Sequence, residues 1–265
     1  MQDQAIGFFD SGWGGLSIFN AAREALPHEN FIYVADCGHA PYGDQTHSYI
    51  VERALKIADF LFNHNRVKAL VIACNTATVE AIKTLRETYP DKIILGVEPA
   101  IKPAVEHSKT HCVGMISTTR TAHSARYQEL LKAFAADATV YSQGCPGLME
   151  CVERGELETP ATLQLLHTYL DPMIEGRIDA LVLGCTHYPF LMPAIRSILG
   201  ENVTFYEPGP AVAKHLKHQL DNAHCLTARK ELGDDVFYVS DLNEERKIVA
   251  KSLTPSATAF YELPC

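Results

Sequence analysis

No run in this chain approaches the roughly 20 consecutive apolar residues of a membrane-crossing helix, so no helical membrane span is expected. No CxxC pair occurs, and eight cysteines spread over 265 residues are no disulfide framework, so structural zinc and thioredoxin-like redox chemistry lose their usual signature. No basic stripe is visible among 23 Lys and Arg against 32 Asp and Glu, a net charge of −9 with the signs interspersed, which argues against a nucleic-acid partner. An anionic small molecule remains compatible, because local amide and hydroxyl donors hold a carboxylate on an acidic protein. The opening Met1-Gln2-Asp3-Gln4 is acidic and the apolar run after it is too short for an export signal, so a reducing cytoplasm with free thiols is expected. The glycine-rich turn 12–15 lacks the lysine of a phosphate loop. His215 and His218 stand in no ligand pattern, and no metal is expected.

What the chain does have is an internal echo. Ala69-Leu70-Val71-Ile72-Ala73-Cys74-Asn75-Thr76 returns 111 positions later as Ala180-Leu181-Val182-Leu183-Gly184-Cys185-Thr186-His187. Ile6-Gly7-Phe8-Phe9-Asp10-Ser11 matches Val113-Gly114-Met115-Ile116-Ser117-Thr118 at an offset of 107. Any α/β protein repeats an apolar strand followed by a polar turn. Two echoes in the same order at similar offsets point instead to two related halves.

Strand-like and helix-like stretches alternate throughout, the pattern of parallel α/β layers. Strands are predicted at 5–9, 31–34, 69–73, 93–96, 112–116, 139–141, 180–184, 203–206 and 236–239. Helices are predicted at 16–26, 48–64, 78–88, 122–136, 160–175, 190–199 and 211–220. No low-complexity linker divides the chain. Glu98-Pro99 and Glu207-Pro208-Gly209-Pro210 mark the changes of unit. The expected organisation is a discontinuous first domain, 1–98 and 207–265, with a second domain, 99–206, inserted into it. Pseudo-twofold packing would bring Cys74 and Cys185 face to face.

Each echoed cysteine follows a strand at the turn into the next element, where open α/β sheets bind ligands. A free thiol titrates near pH 8.5, and placement before a helix N-terminus lowers that value, so thiolate needs no cofactor at neutral pH. Nucleophilic attack uses one cysteine and leaves the other idle. Redox needs the sulfurs within bonding distance. Proton transfer at carbon on both faces of a stereocentre uses both copies alike. Asp10 could orient one thiol and His187 the other, while Ser11, Asn75, Thr76, Thr186, Thr118 and Thr121 offer neutral groups to a carboxylate and an ammonium.

Taken together, Asp10-Ser11-Gly12-Trp13-Gly14-Gly15, Ala40-Pro41-Tyr42-Gly43, Cys74-Asn75-Thr76 and Gly184-Cys185-Thr186-His187 resemble the ordered motifs of the glutamate racemases, within the aspartate/glutamate racemase superfamily. The likeness covers most of the chain. It implies two pseudo-symmetric parallel-sheet α/β domains with the active site in the cleft between them. It also implies a cofactor-independent two-base racemase supplying D-glutamate for bacterial peptidoglycan. By that resemblance Cys74, helped by Asp10, takes the proton from D-glutamate, and Cys185, helped by His187, takes it from L-glutamate. Ser11, Tyr42, Gly43, Asn75, Thr76 and Thr186 match substrate-contacting positions; Pro41 shares that loop, and Thr118 and Thr121 fit a threonine-bearing turn. Homodimers occur in the resembled family.

The chain also departs from the pattern. Trp13 replaces a small aliphatic residue, Cys37-Gly38-His39 a stretch ending in arginine, Ser117 a glycine, and Val239-Ser240-Asp241 a Ser-Gly-Asp-like run. Cys112, Cys145, Cys151 and Cys225 read as small buried hydrophobes, and Cys37 as structural. His39, His107 and His123 read as surface or satisfied core, and Glu150 and Glu153 as the solvated face of a helix. Alternatives stay open: a racemase or isomerase acting on another acidic substrate such as aspartate, a non-catalytic amino-acid-binding protein, or a cysteine hydrolase using Cys185 and His187.

Overall fold

All described strand pairs are parallel, and the inner strands are buried on both faces, which is why their sequences are unbroken apolar runs rather than alternating ones. The computed structural model describes residues 2–264; Met1 of the acidic opening and Cys265 among the cysteines lie outside the described residues. The chain divides into two compact units, Met1–Val97 with Gly209–Cys265, and Glu98–Pro208.

The first unit begins with β1 (Ile6–Asp10), α1 (Leu16–Ala25), β2 (Phe31–Ala35), α2 (His47–Asp59), β3 (Ala69–Ile72), α3 (Asn75–Thr88) and β4 (Ile93–Leu95). The second holds α4 (Ile101–His107), β5 (Cys112–Ser117), α5 (Thr119–Ala122), α6 (Ala125–Phe134), β6 (Thr139–Gly144), α7 (Leu148–Glu153), α8 (Pro160–Glu175), β7 (Ala180–Leu183), α9 (Met192–Leu199) and β8 (Thr204–Tyr206). The chain then returns to the first unit with α10 (Gly209–Asn222), β9 (Asp235–Val239), α11 (Glu244–Leu253) and β10 (Ala259–Glu262).

The first sheet runs β10-β9-β2-β1-β3-β4, and the second β6-β5-β7-β8. The echo is therefore structural. β2-β1-β3-β4 and β6-β5-β7-β8 share one strand order, and Ile6 pairs with Ala69 as Val113 pairs with Ala180.

One face of the first sheet carries a ring cluster in which Phe19 meets Phe8, Phe31, Tyr33 and Phe237. The other packs Phe9, Ile72 and Leu70 against Ile57, Ala77 and Ala81 of α2 and α3. Each phenylalanine, leucine or isoleucine among them contributes roughly 1.5–3 kcal/mol by leaving water, and each alanine methyl less. Trp13, the bulky departure, is fully buried, stacked on Tyr33 and edge-on to Phe260 of β10, so its volume is absorbed by this cluster.

Several predicted elements change. The helix expected over 48–64 runs from His47 to Asp59, capped by Thr46, and passes into a π-helical turn at Phe60–His64. The helix expected over 122–136 runs only from Ala125 to Phe134, because Ser124 turns extended and its hydroxyl caps α6 by accepting from Tyr127 N–H, while α5 ends before it at Ala122. The helix expected from 78 starts at Asn75. Strand β10 and helices α4 and α11 lack a clear period and were not predicted. Among the described residues no helix is long and apolar enough to cross a membrane.

Candidate active site

In each sheet the second and third strands of the shared order end at a topological switch point, where open parallel sheets present backbone and side chains to ligands. In the first unit those ends are Asp10-Ser11 after β1 and Cys74 after β3; in the second they are Ser117-Thr118 after β5 and Cys185 after β7.

Cys74 takes extended backbone angles and is the N-cap of α3, its Sγ accepting from Ala77 N–H at 3.4 Å. The positive end of the helix and this donor favour negative charge at that sulfur. Ser11 Oγ lies 3.7 Å from Cys74 Sγ and donates to Asp10 Oδ1 at 3.4 Å, so a carboxylate, a hydroxyl and a thiol lie in series. Asp10 is fully buried, and the same Oδ1 accepts from Gly12 N–H at 2.9 Å. A side chain at Gly15 would sit 2.7 Å from Asp10 Cβ and 2.8 Å from Ala73 Cβ, which is why the turn into α1 ends in glycine there.

Asn75 and Thr76 occupy the first turn of α3 and are buried. Among the described residues neither polar atom of the Asn75 amide has a hydrogen-bond partner. A buried unpaired amide costs about 1–3 kcal/mol, and such groups mark places where a ligand supplies the missing partner.

Tyr42 lies in a 3-10 turn (Tyr42–Asp44) between partly exposed Pro41 and Gly43. Its ring meets Phe9 edge-on, and its hydroxyl donates to Asp36 Oδ2 at 2.6 Å. Burial first, then Asp36 and Cys74, push the phenol well above its ordinary range, which sets Tyr42 in the electrostatic neighbourhood of that thiol. Burial also pushes the Asp36 carboxyl upward, but hydrogen bonds from Arg53 and Tyr42 and the Arg53 charge outweigh it and hold it below the usual range. His39, one of the departures from the resembled pattern, joins the same carboxylate with Nδ1 at 2.9 Å from Oδ1.

The second unit is built differently around its cysteine. No α-helix starts at Cys185; a 3-10 turn, Tyr188–Leu191, follows instead, so the helix N-terminus expected for both thiols serves Cys74 alone. Cys185 Sγ lies 3.6 Å from His187 Nδ1, and His187 Nε2 lies 2.6 Å from Glu153 Oε1 at the end of α7. Glu153 thus corrects the expectation of a solvated helix face: its side chain turns to a buried imidazole. Burial by itself would push His187 down, but hydrogen bonds to Cys185 and Glu153 and their charges outweigh it and hold the ring well above its ordinary value.

Thr118 caps α5 by accepting from Thr121 N–H, and its hydroxyl donates to Thr121 Oγ1 at 3.0 Å. Thr186 is buried beside Cys185. Ser117, counterpart of Asp10, donates to Thr118 O and supplies no carboxylate. Tyr188 donates to the carbonyls of Ser117 and Cys145, joining the ends of β5 and β6. Cys145 is buried and its thiol is pushed up to about 12, first by burial.

Among the other expected bystanders, Cys37, Cys151 and Cys225 are buried while Cys112, the first residue of β5, is only half-buried. His107 meets the Tyr206 hydroxyl, and His123, His215 and His218 are exposed. Among the described residues no group of three or more His, Cys, Asp or Glu could hold a metal ion. Sequence reasoning missed Glu153 and the Asp36–Arg53 pair. Only the acidic residue closing β2 and the arginine in the following helix hinted at the latter.

A family profile described as Asp/Glu/Hydantoin racemase matches residues 17–216. A glutamate racemase of Pseudomonas syringae is 47% identical over 240 residues, covering 91% of this chain and 86% of the relative. Among solved structures, glutamate racemase from Francisella tularensis in complex with D-glutamate superposes with a TM-score of 0.86 at 28% identity, covering 99% of this chain and 98% of that one. Escherichia coli glutamate racemase, in complex with L-glutamate and the activator UDP-MurNAc-ala, superposes with a TM-score of 0.87 at 28% identity, covering 98% of each chain.

Proposed function

The chain belongs to the Asp/Glu/Hydantoin racemase family and is an amino-acid racemase, and from that premise we propose that it interconverts L- and D-glutamate by thiol proton transfer at Cα. In the D-to-L direction the Cys74 thiolate removes the Cα proton and the Cys185 thiol delivers one to the opposite face of the carbon. In the L-to-D direction the two exchange roles. The removed proton stays on the accepting sulfur and the pair of electrons on carbon takes up the other, so each turnover ends with the two protonation states swapped.

The observation that carries this reading is the repeated cysteine at one register position of two like sheets, each with its own acid–base neighbours. Ser11 passes the influence of Asp10 to Cys74, while His187, held by Glu153, attends Cys185. Asn75, Thr76, Thr186, Thr118 and Thr121, with the turn Pro41-Tyr42-Gly43, supply substrate contacts; the unpaired Asn75 amide is the group best suited to a carboxylate or ammonium. Relatives solved with D-glutamate and with L-glutamate support the choice of substrate. The thiols need neither cofactor nor metal, and D-glutamate made in a reducing cytoplasm serves peptidoglycan synthesis.

Purified protein incubated with either enantiomer in D₂O, followed by NMR, tests this. Expected are loss of the Cα–H signal and optical inversion without added cofactor. Cys74→Ala and Cys185→Ala each abolish inversion. Full inversion by either variant removes the two-base assignment, and exchange of aspartate with glutamate inert removes only the substrate.

A further inference from the structure

Asp36 directly follows β2, and its carboxylate accepts five hydrogen bonds from the described residues: two from Arg53, and one each from Tyr42, His39 and Ser240. That saturates a carboxylate, which offers about four lone-pair sites. Four of the five come from the chain between His39 and Arg53. The fifth comes from Ser240, which follows β9 in the returning segment, 204 residues away.

Ser240 works in two directions. Its hydroxyl donates to Asp36 Oδ1 at 2.9 Å and accepts from Gly38 N–H at 2.9 Å. Gly38 allows this approach because a Cβ there would meet Asp241 Cβ at 3.1 Å and Ser240 Oγ at 3.3 Å. Arg246 reinforces the same junction, donating to Ser240 O at 3.4 Å and to Cys37 O at 3.5 Å. The stretch from Cys37 to Tyr42 is thus clipped at its start by Ser240 and at its end by Asp36, which Ser240 also holds. Tyr42 is the residue through which this clip reaches the surroundings of Cys74, since the two share one buried cluster of the first unit.

We propose that Ser240 is a positioning residue for the substrate: through Asp36 and Gly38 it fixes the turn Pro41-Tyr42-Gly43. This rests on the reading of that turn as a substrate wall. Ser240 takes no part in proton transfer, so its loss loosens binding rather than chemistry.

The test pairs Ser240→Ala with Ser240→Thr, which keeps the hydroxyl. Steady-state kinetics are measured in both directions, and amide hydrogen exchange of residues 37–44 is measured without substrate. Ser240→Ala is expected to raise KM for both enantiomers roughly five- to tenfold, part of the roughly ten- to hundredfold that one hydrogen bond to a charged group is worth because Ser240 acts on the turn indirectly, with kcat within about twofold. Exchange over 37–44 speeds up, and Ser240→Thr restores both. Unchanged KM and exchange overturn the proposal, as does a fall in kcat that follows melting temperature while KM and exchange stay put. If the wild-type protein leaves glutamate untouched, the substrate reading fails by itself; exchange still decides whether Ser240 fixes the turn, faster exchange supporting it and unchanged exchange overturning it.

Discussion

His187 Nε2 stands 2.6 Å from Glu153 Oε1, and its other ring nitrogen stands 3.6 Å from Cys185 Sγ. In the first unit the series is Asp10, Ser11 and Cys74. The duplicated fold therefore carries two unlike supports for two like thiols. Ser117 took the place of the first unit's carboxylate, and a carboxylate from α7 reaches the second thiol through an imidazole.

Replacing Glu153 by glutamine removes the charge but keeps the hydrogen-bonding shape. A charge-assisted bond to a buried imidazole is worth about 1.5–3 kcal/mol, so kcat/KM is expected to fall roughly ten- to a hundredfold. Enantiomers have equal free energy, so the loss in kcat/KM must be the same in both directions. Initial rates from each enantiomer check this, and an unchanged kcat/KM removes the role given to Glu153.

Asn75→Ala should separate stability from function. The amide is buried with no partner among the described residues, and its removal relieves a cost of about 1–3 kcal/mol against a small loss of packing. The unliganded melting temperature is expected to hold or rise while KM for glutamate increases. A variant that melts lower with unaltered KM contradicts the assignment.

Asp36 links stability to pH. Its carboxyl is held below the ordinary range in the folded protein, so folding favours the ionised form. The contribution is complete above the unfolded value of about 3.9 and disappears as pH falls through the lower native value. Urea unfolding of the wild type and Asp36→Asn should show a stability gap that is constant from neutral pH to about 5 and narrows below it. A gap independent of pH down to acid unfolding contradicts the pairing.

Cys145 makes a chemical contrast. With its thiol pushed up to about 12 by burial, native Cys145 is expected to react with iodoacetamide at pH 8 at least about a thousandfold more slowly than in the unfolded chain. Peptide mapping after timed labelling measures it, and rapid native labelling of Cys145 shows the burial to be breached.

Much of the framework was readable from letters. The runs 69–72 and 180–183 are apolar throughout because strands covered on both faces admit little else, and the echo of Ile6–Asp10 in Val113–Ser117 survives as one shared strand register. The start of α3 was misplaced because a cysteine is not a usual cap, although its sulfur takes that role toward Ala77. Strand β10 was missed because its short edge run, half exposed, carries no period.

By itself the sequence determined the parallel α/β class, the two related units, and the thiols at matching strand ends, since burial and turn chemistry are written in neighbouring residues. Only the tertiary structure decided that Glu153 turns inward to His187 and that Ser240 grips Asp36. Those pairings join residues 34 and 204 positions apart, and they exist because elements distant in the chain pack side by side, each pairing around its own carboxylate.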